Sequence, residues 1–408
     1  MRILAMTNLY PNPFQPQRAT FNRHRLRILS EKFPVRVIAP IAWTDEWKAG
    51  RSGNPALPAG RRAQYDGLTV DHPRYLFPPK FGRAWYGHFY LKSVTRTFDR
   101  AVQEFKPTLL FAPWAYPDGW AAVRLGRRFG LPVVIQCHGS DVLLLDKFPA
   151  RKHRTIDAVT EADGVVAVSK DISRNLQAMG VKPDRIRVIY DGVDLSKFQP
   201  APKAEAREKL GLSGNEPMIL FVGNLVPVKA IDVLLAACAQ LVRVNLPFRL
   251  ILIGEGLLRA KLEVQAEELG LKERVRFLGS VPHEQLPTWF QASDLFVLPS
   301  HSEGVPTVLL EASACRTPWV ASRVGGIPEI ERLGVSKLVM PNTPLELAAA
   351  IREQLTTPVP EDYRPPSRSA HAAVDELIGF FGEYHRTKSN TEQVRRAAGG
   401  SLPCLRFP

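Results

Sequence analysis

The chain has little that would staple it, metallate it or embed it. Its 408 residues hold four scattered cysteines, Cys137, Cys238, Cys315 and Cys404, with no Cys-x-x-Cys pair. So few thiols, so far apart, exclude a disulfide framework and a thiolate zinc site, and predict reduced residues in a cytoplasmic protein. No apolar run approaches the roughly 18 residues that would suggest a membrane span. The opening "MRILAMTNLYPNPF" goes straight from Met into a strand-like run, without the apolar core and cleavage site of a secretory signal. No Asp-x-Asp pair is present. No helix-turn-helix, zinc-finger or RNP-type motif argues for nucleic acid as a partner.

What is there is a foldable chain with a lopsided charge. Hydrophobic residues make up 45%, enough for a core, and the length predicts two domains. The net charge of +14 comes entirely from residues 1–200, with 31 Lys and Arg against 17 Asp and Glu; residues 201–408 hold 23 of each. A basic first half fits a solvated surface, an anionic membrane surface or an anionic substrate.

Short β-branched runs alternate with longer helical stretches. In the first half the runs lie at 2–8, 35–40, 68–75, 109–113, 133–139, 164–169 and 186–190. In the second they lie at 218–223, 249–254, 275–279, 295–300, 319–324 and 337–340. Most are apolar throughout, as strands buried on both faces must be. The alternation predicts an α/β chain of two Rossmann-like, doubly wound parallel sheets whose strand ends face a central cleft. The Pro- and Ala-rich stretch 198–216 marks the break, giving domains over 1–198 and 199–367. A last helix, 368–386, is expected to cross back to the first domain, and 387–408 to be a disordered tail.

The chemistry-bearing stretch is "SEGVPTVLLEASA" (302–314). Pro306 suits a first helical position, where its missing N–H costs nothing. The amides of Gly304, Val305, Thr307 and Val308 then face the cleft with the positive helix end behind them, a ready anion site. Glu303 and Glu311 bracket it, and a carboxylate accepts paired hydroxyls well, as a sugar or ribose offers. Taken alone, the pair fits equally a solvated loop residue and an ion-pair partner. "FVGNLVPVKAID" (221–232) is strand, glycine turn and helix, with Gly223 permitting close backbone approach and Lys229 at the helix entry. Alone, that lysine fits solvent as well as phosphate.

In order, "VGNLVPVK", "IGEG", "FLGSVPHEQLPTWFQASDLFVLPS", "SEGVPTVLLEASA" and "GGIPEI" resemble the retaining glycosyltransferase family 4, of GT-B fold. Its hallmark is two glutamates separated by seven residues, as Glu303 and Glu311 are. The resemblance covers about residues 1–386. It implies that Glu303 faces the hydroxyls of a donor sugar and that Glu311 takes the ribose hydroxyls. It implies that the amides near 304–308 meet the sugar and diphosphate, and that Lys229 neutralises the leaving nucleoside diphosphate. Phe277 and Leu278 are expected at the nucleobase. The donor would be a nucleotide sugar, UDP- or GDP-linked, as substrate, with no cofactor and no metal. Three positions depart from the pattern. Asn224 stands where many members have Arg, Ala230 where many have Gly, and Ala19, in "QRATF" (17–21), where a glycine-rich turn is usual.

In the first half, "VVIQCHGSD" ends a strand at the cleft. The resemblance puts His138 beside the donor sugar and makes Ala19, Thr20, Asp141 and Ser169 acceptor or cleft candidates. "YDGVDLSKF" (190–198) matches a family segment at the domain junction, with Asp191 for the usual Asn. Arg18, Arg23, Arg25 and Arg27, and the stretch "PPKFGRAWYGHFYLKSVTRTF" (78–98), mix cations with aromatics, which fits a core-packed helix or a membrane interface. The expected activity is retaining transfer of a hexose-type sugar to a hydroxyl of a glycan or lipid-linked acceptor, in the cytoplasm or peripherally on the inner face of the membrane. The alternatives are a nucleotide-sugar epimerase of the same fold and a non-catalytic sugar-nucleotide-binding homologue.

Overall fold

The computed structural model describes residues 1–51, 57, 59–79, 85–147, 149–212, 214, 216–331, 335–360, 363 and 368–397, with 51, 59, 147 and 385–397 as backbone. The first domain contains β1 (Ile3–Met6), β2 (Val35–Ile38), β3 (Ile41–Ala42), β4 (Arg62–Tyr65), β5 (Leu68–Asp71), β6 (Arg74–Tyr75), β7 (Leu109–Ala112), β8 (Val133–Cys137), β9 (Gly164–Ala167) and β10 (Ile186–Val188). Eight strands form one sheet in the order β10-β9-β8-β7-β1-β2-β5-β4, while β3 pairs with β6. The second domain contains β11 (Met218–Val222), β12 (Arg249–Ile253), β13 (Val275–Gly279), β14 (Leu295–Leu298), β15 (Trp319–Ser322) and β16 (Ser336–Val339). Their order is β13-β12-β11-β14-β15-β16, parallel throughout. These are the two doubly wound sheets that the alternation predicts, and the GT-B architecture that the resemblance implies. One edge departs from it: β4 runs antiparallel to β5.

The strand order reverses beside β1 in one sheet and beside β11 in the other. Such switch points open a crevice at the strand carboxyl ends. The loops that leave β1, β7, β8, β11 and β14 therefore supply the site. The central strands are buried along their whole length, because helices cover both faces. Arg36 on β2 is the charged exception: it is 5% exposed and bonded to Asp71 and Glu104.

Helices Trp43–Arg51 and Pro149–Glu161 fill two of the gaps between the first-half runs. Two stretches differ from expectation. The supposed linker contains the helix Lys203–Lys209, whose Arg207 reaches Asp294 at 2.6 Å and ties it to the second domain. The last helix runs from Ala370 to Ala397, so residues 387–397 continue it instead of forming a disordered tail, and 398–408 lie outside the described residues.

That helix belongs to the first domain's core, although the chain reaches it from the second. Ala370, Val374, Leu377, Phe380 and Phe381 are buried there, with the Phe381 and Phe111 rings 5.2 Å apart. Outgoing and returning segments touch where Ala370 N donates to Val193 O at 2.9 Å. Gly192 makes this possible, since a Cβ on it would sit 2.1 Å from Ser369 O. Cys137, Cys238 and Cys315 are buried and free. Among the described residues, no helix is long and apolar enough to cross a membrane.

Candidate active site

A cleft of about 450 Å³ separates the domains. The first domain lines it with the start of the helix Thr20–Lys32, and the second with His283, Thr307, Val308 and Glu311.

On the second-domain side, β14 runs into the turn carrying Glu303. Lys229 Nζ lies 2.6 Å from Glu303 Oε1, so the expected phosphate cation and the expected sugar carboxylate neutralise each other. Both are mostly buried. Gly223 follows β11 beside this pair, and Asn224 is exposed. The helix spans Thr307–Ala314, and Pro306 is its N-cap, one residue before the first helical position expected for it. The amides of Thr307 and Val308 have no partner within the helix. Val305 is buried. Gly304 packs so closely on the other domain that a Cβ there would lie 1.9 Å from His138 O. Glu311 is 7% exposed, and His283 Nε2 lies 2.9 Å from its Oε1. Phe277 and Leu278 are half-buried on edge strand β13, and the Phe277 carbonyl accepts from Arg259.

On the first-domain side, His138 follows β8 and is boxed by the Phe21 ring at 5.2 Å and the Trp114 ring at 6.2 Å. Arg25 Nη1 approaches its Nε2 at 3.4 Å, and Asp191 lies 3.9 Å from its Nδ1. Burial, then the Arg25 charge, pull its pKa down to about 3 against the opposing Asp191 carboxylate. His138 is therefore neutral near pH 7. Since a guanidinium can only donate, Nε2 accepts and the ring proton sits on Nδ1. Arg25 also pairs with Asp191.

Several candidate residues do other work. Asp141 is fully buried, and its carboxylate accepts from the amides of His138 (3.0 Å) and Gly139 (2.8 Å). It braces the histidine turn and presents nothing to the cleft. Ser169 is also fully buried and caps the helix Lys170–Ala178, accepting from Ile172 N at 3.1 Å. Thr20 lines the cleft, and Ala19 is the N-cap before it. The basic residues of the first helix are mostly spent: Arg25 on Asp191, Arg23 on Asp66, Arg27 on Glu31, and Arg18 3.7 Å from Asp45. In the stretch 78–98, Tyr90 is fully buried and Phe89 half-buried, while Trp85, His88, Lys92 and Arg96 are exposed on one helix face. Lys80, Phe81 and Arg83 lie outside the described residues.

Sequence reasoning did not find three pairings: Arg25 with His138, His283 with Glu311, and Glu329 with the first domain. From the "GGIPEI" turn of the second domain, Glu329 accepts from the amides of Lys170 (2.8 Å) and Asp171 (2.9 Å) and from Tyr190 Oη (2.6 Å). It caps a first-domain helix across the cleft. The signal was present in each quoted motif, but not the identity of the partner.

Comparison with known proteins bears on the family and the fold. Residues 20–197 match the model described as Glycosyltransferase Family 4, and 202–370 that described as Glycosyl transferases group 1. A D-inositol 3-phosphate glycosyltransferase of Thermobispora bispora is 41% identical over 211 residues, 49% of each chain. That of Mycobacterium tuberculosis strain H37Ra is 36% identical over 272 residues, 62% of this chain and 55% of its own length. The chain thus spans about half the length of these relatives. Among solved structures, sucrose-phosphate synthase from Thermosynechococcus elongatus aligns with a TM-score of 0.75 at 22% identity, covering 97% of this chain and all of that one. HepE of Anabaena, solved with UDP-glucose, aligns with a TM-score of 0.67 at 20% identity, covering 96% of this chain and all of its own. At that identity the two structures bear on the fold alone.

Proposed function

This chain belongs to the family 4, group 1 glycosyltransferases, and from that premise we propose that it moves a sugar from a nucleotide-sugar donor to an acceptor hydroxyl with retention at the anomeric carbon. The observation that carries this is the Lys229–Glu303 pair at the mouth of a helix N-terminus, with Glu311 further along the same helix. A lysine held by a carboxylate is a resting arrangement. A donor diphosphate would take over Lys229 and release Glu303 to the sugar hydroxyls. The bond between the anomeric carbon and the diphosphate oxygen breaks as the acceptor oxygen attacks on the same face. The acceptor proton passes to the departing diphosphate, whose charge Lys229 and the amides of Thr307 and Val308 stabilise. Neutral His138, flanked by Phe21 and Trp114, would line the sugar side.

The first test is a thermal-shift screen against UDP-, GDP- and ADP-sugars, since a ligand of the folded state raises its melting temperature. With the donor so identified, Glu303→Ala and Lys229→Ala should each lower turnover by about 100-fold or more while keeping a cooperative melting transition. Near wild-type turnover in either would refute the assignment.

The acceptor is proposed to be a glycan or a lipid-linked molecule reached at an anionic cytoplasmic membrane surface. What supports the surface is the basic first half, together with Trp85, His88, Lys92 and Arg96 on one exposed helix face. Vesicles rich in anionic lipid should carry the protein upward in a flotation gradient and neutral ones should not. Equal recovery from both would sink this part of the proposal.

A further inference from the structure

His283 stands on the short turn that follows β13, inside the stretch "SVPHEQLP". Its ring packs on Phe198 with centroids 5.3 Å apart, and both line the cleft. Its Nε2 meets Glu311 Oε1 at 2.9 Å. The terminal torsion of a glutamate is soft, so an unheld carboxylate would sample many orientations. A carboxylate offers about four lone-pair sites; the histidine uses one and leaves enough for two vicinal hydroxyls. Burial pulls the imidazole pKa down, but the hydrogen bond and charge of Glu311 outweigh it, and the pKa stands above 6.5. The other charged groups around the ring are Glu284 of its own turn and Lys197 of the interdomain segment, itself 3.7 Å from Asp194. From the first domain, His24 faces it.

We infer that His283 is a positioning residue for the donor: it holds Glu311 in the orientation that accepts both ribose hydroxyls, and so sets the preference for ribonucleotides over 2′-deoxyribonucleotides. The inference rests on the nucleotide-sugar reading above. Protonated or as the Nε2–H tautomer, the ring donates to Glu311, but the charged form donates about twice as strongly. Nucleotide affinity therefore weakens as pH rises through the His283 pKa.

The test is calorimetric binding of UDP, GDP and their 2′-deoxy forms to the full chain, for the wild type, His283→Phe and His283→Gln. The wild type is expected to prefer the ribonucleotide about tenfold. His283→Phe keeps a ring against Phe198 and loses the donor. It should bind the ribonucleotide about tenfold more weakly and show no ribose preference. His283→Gln, whose amide can donate, should keep most of the preference and lose the pH inflection above 6.5. Wild-type affinity and ribose preference in His283→Phe would overturn the inference and leave the glycosyltransferase reading standing. Should His283→Phe fail to fold, an unchanged pH inflection in His283→Gln would overturn it equally. A wild type that binds no nucleoside diphosphate would overturn the reading itself.

Discussion

Ala19 and Ala230 share a backbone conformation that glycine adopts freely and alanine does not. Ala19 has φ 47° and ψ 50°, and Ala230 φ 48° and ψ 43°. Each is the N-cap of the helix that follows the first strand of its domain. Both are positions where the resemblance leads one to expect glycine, and the left-handed geometry is the physical reason. A Cβ there costs about 1–2 kcal/mol. Glycine gives back about 0.4–1 kcal/mol through the extra freedom of the unfolded chain. Ala230→Gly is therefore expected to raise stability by up to about 1 kcal/mol, read from the urea midpoint. A loss of similar size would show that the turn is not strained. At this scale the motif residues were legible, but their partners were not. Arg25 and His138 lie 113 positions apart.

Among the elements, the strands were read best, because a short run that is apolar on both faces can shed water fully only inside a covered sheet. The edge of the first sheet was read worst. The run "VRVIAP" carries one charged residue, Arg36, and it is buried against Asp71, which also receives Arg62 and Arg100. Asp71 is 1% exposed, so removing it strands a buried guanidinium. Asp71→Ala should cost about 3–5 kcal/mol in chemical denaturation. A loss below about 1 kcal/mol would mean that water or Glu104 replaces it. β4 is antiparallel because the two-residue turn Asp66-Gly67 joins it directly to β5, and that pairing brings Arg62 to Asp71 and Glu104.

For the whole molecule, the governing contact is Glu329 across the cleft. Three donors from the first domain converge on one carboxylate of the second, and opening the cleft would return all three to water. Beside it Gly139 and Gly304 meet so closely that a side chain at either would force the domains apart. Glu329→Ala should favour the open form by about 1–3 kcal/mol, seen as a larger radius of gyration in small-angle scattering without donor. An unchanged radius would assign closure to the other contacts. The long last helix limits how far opening can go, because it is rooted in the first domain's core while its approach comes from the second.

By itself the sequence determined the two-sheet architecture and the order of its motifs, because strand periodicity and helix starts are local properties of neighbouring residues; the donor-side expectation for Lys229, Glu303 and Glu311 came from the resemblance those motifs carry. Tertiary structure alone decided the pairings. It closed Lys229 onto Glu303, set His283 against Glu311, buried Arg25 between His138 and Asp191, and turned Asp141 and Ser169 inward. A side chain's partner depends on which loops converge at the strand ends, and that convergence is a property of the packed sheets and not of any stretch of chain.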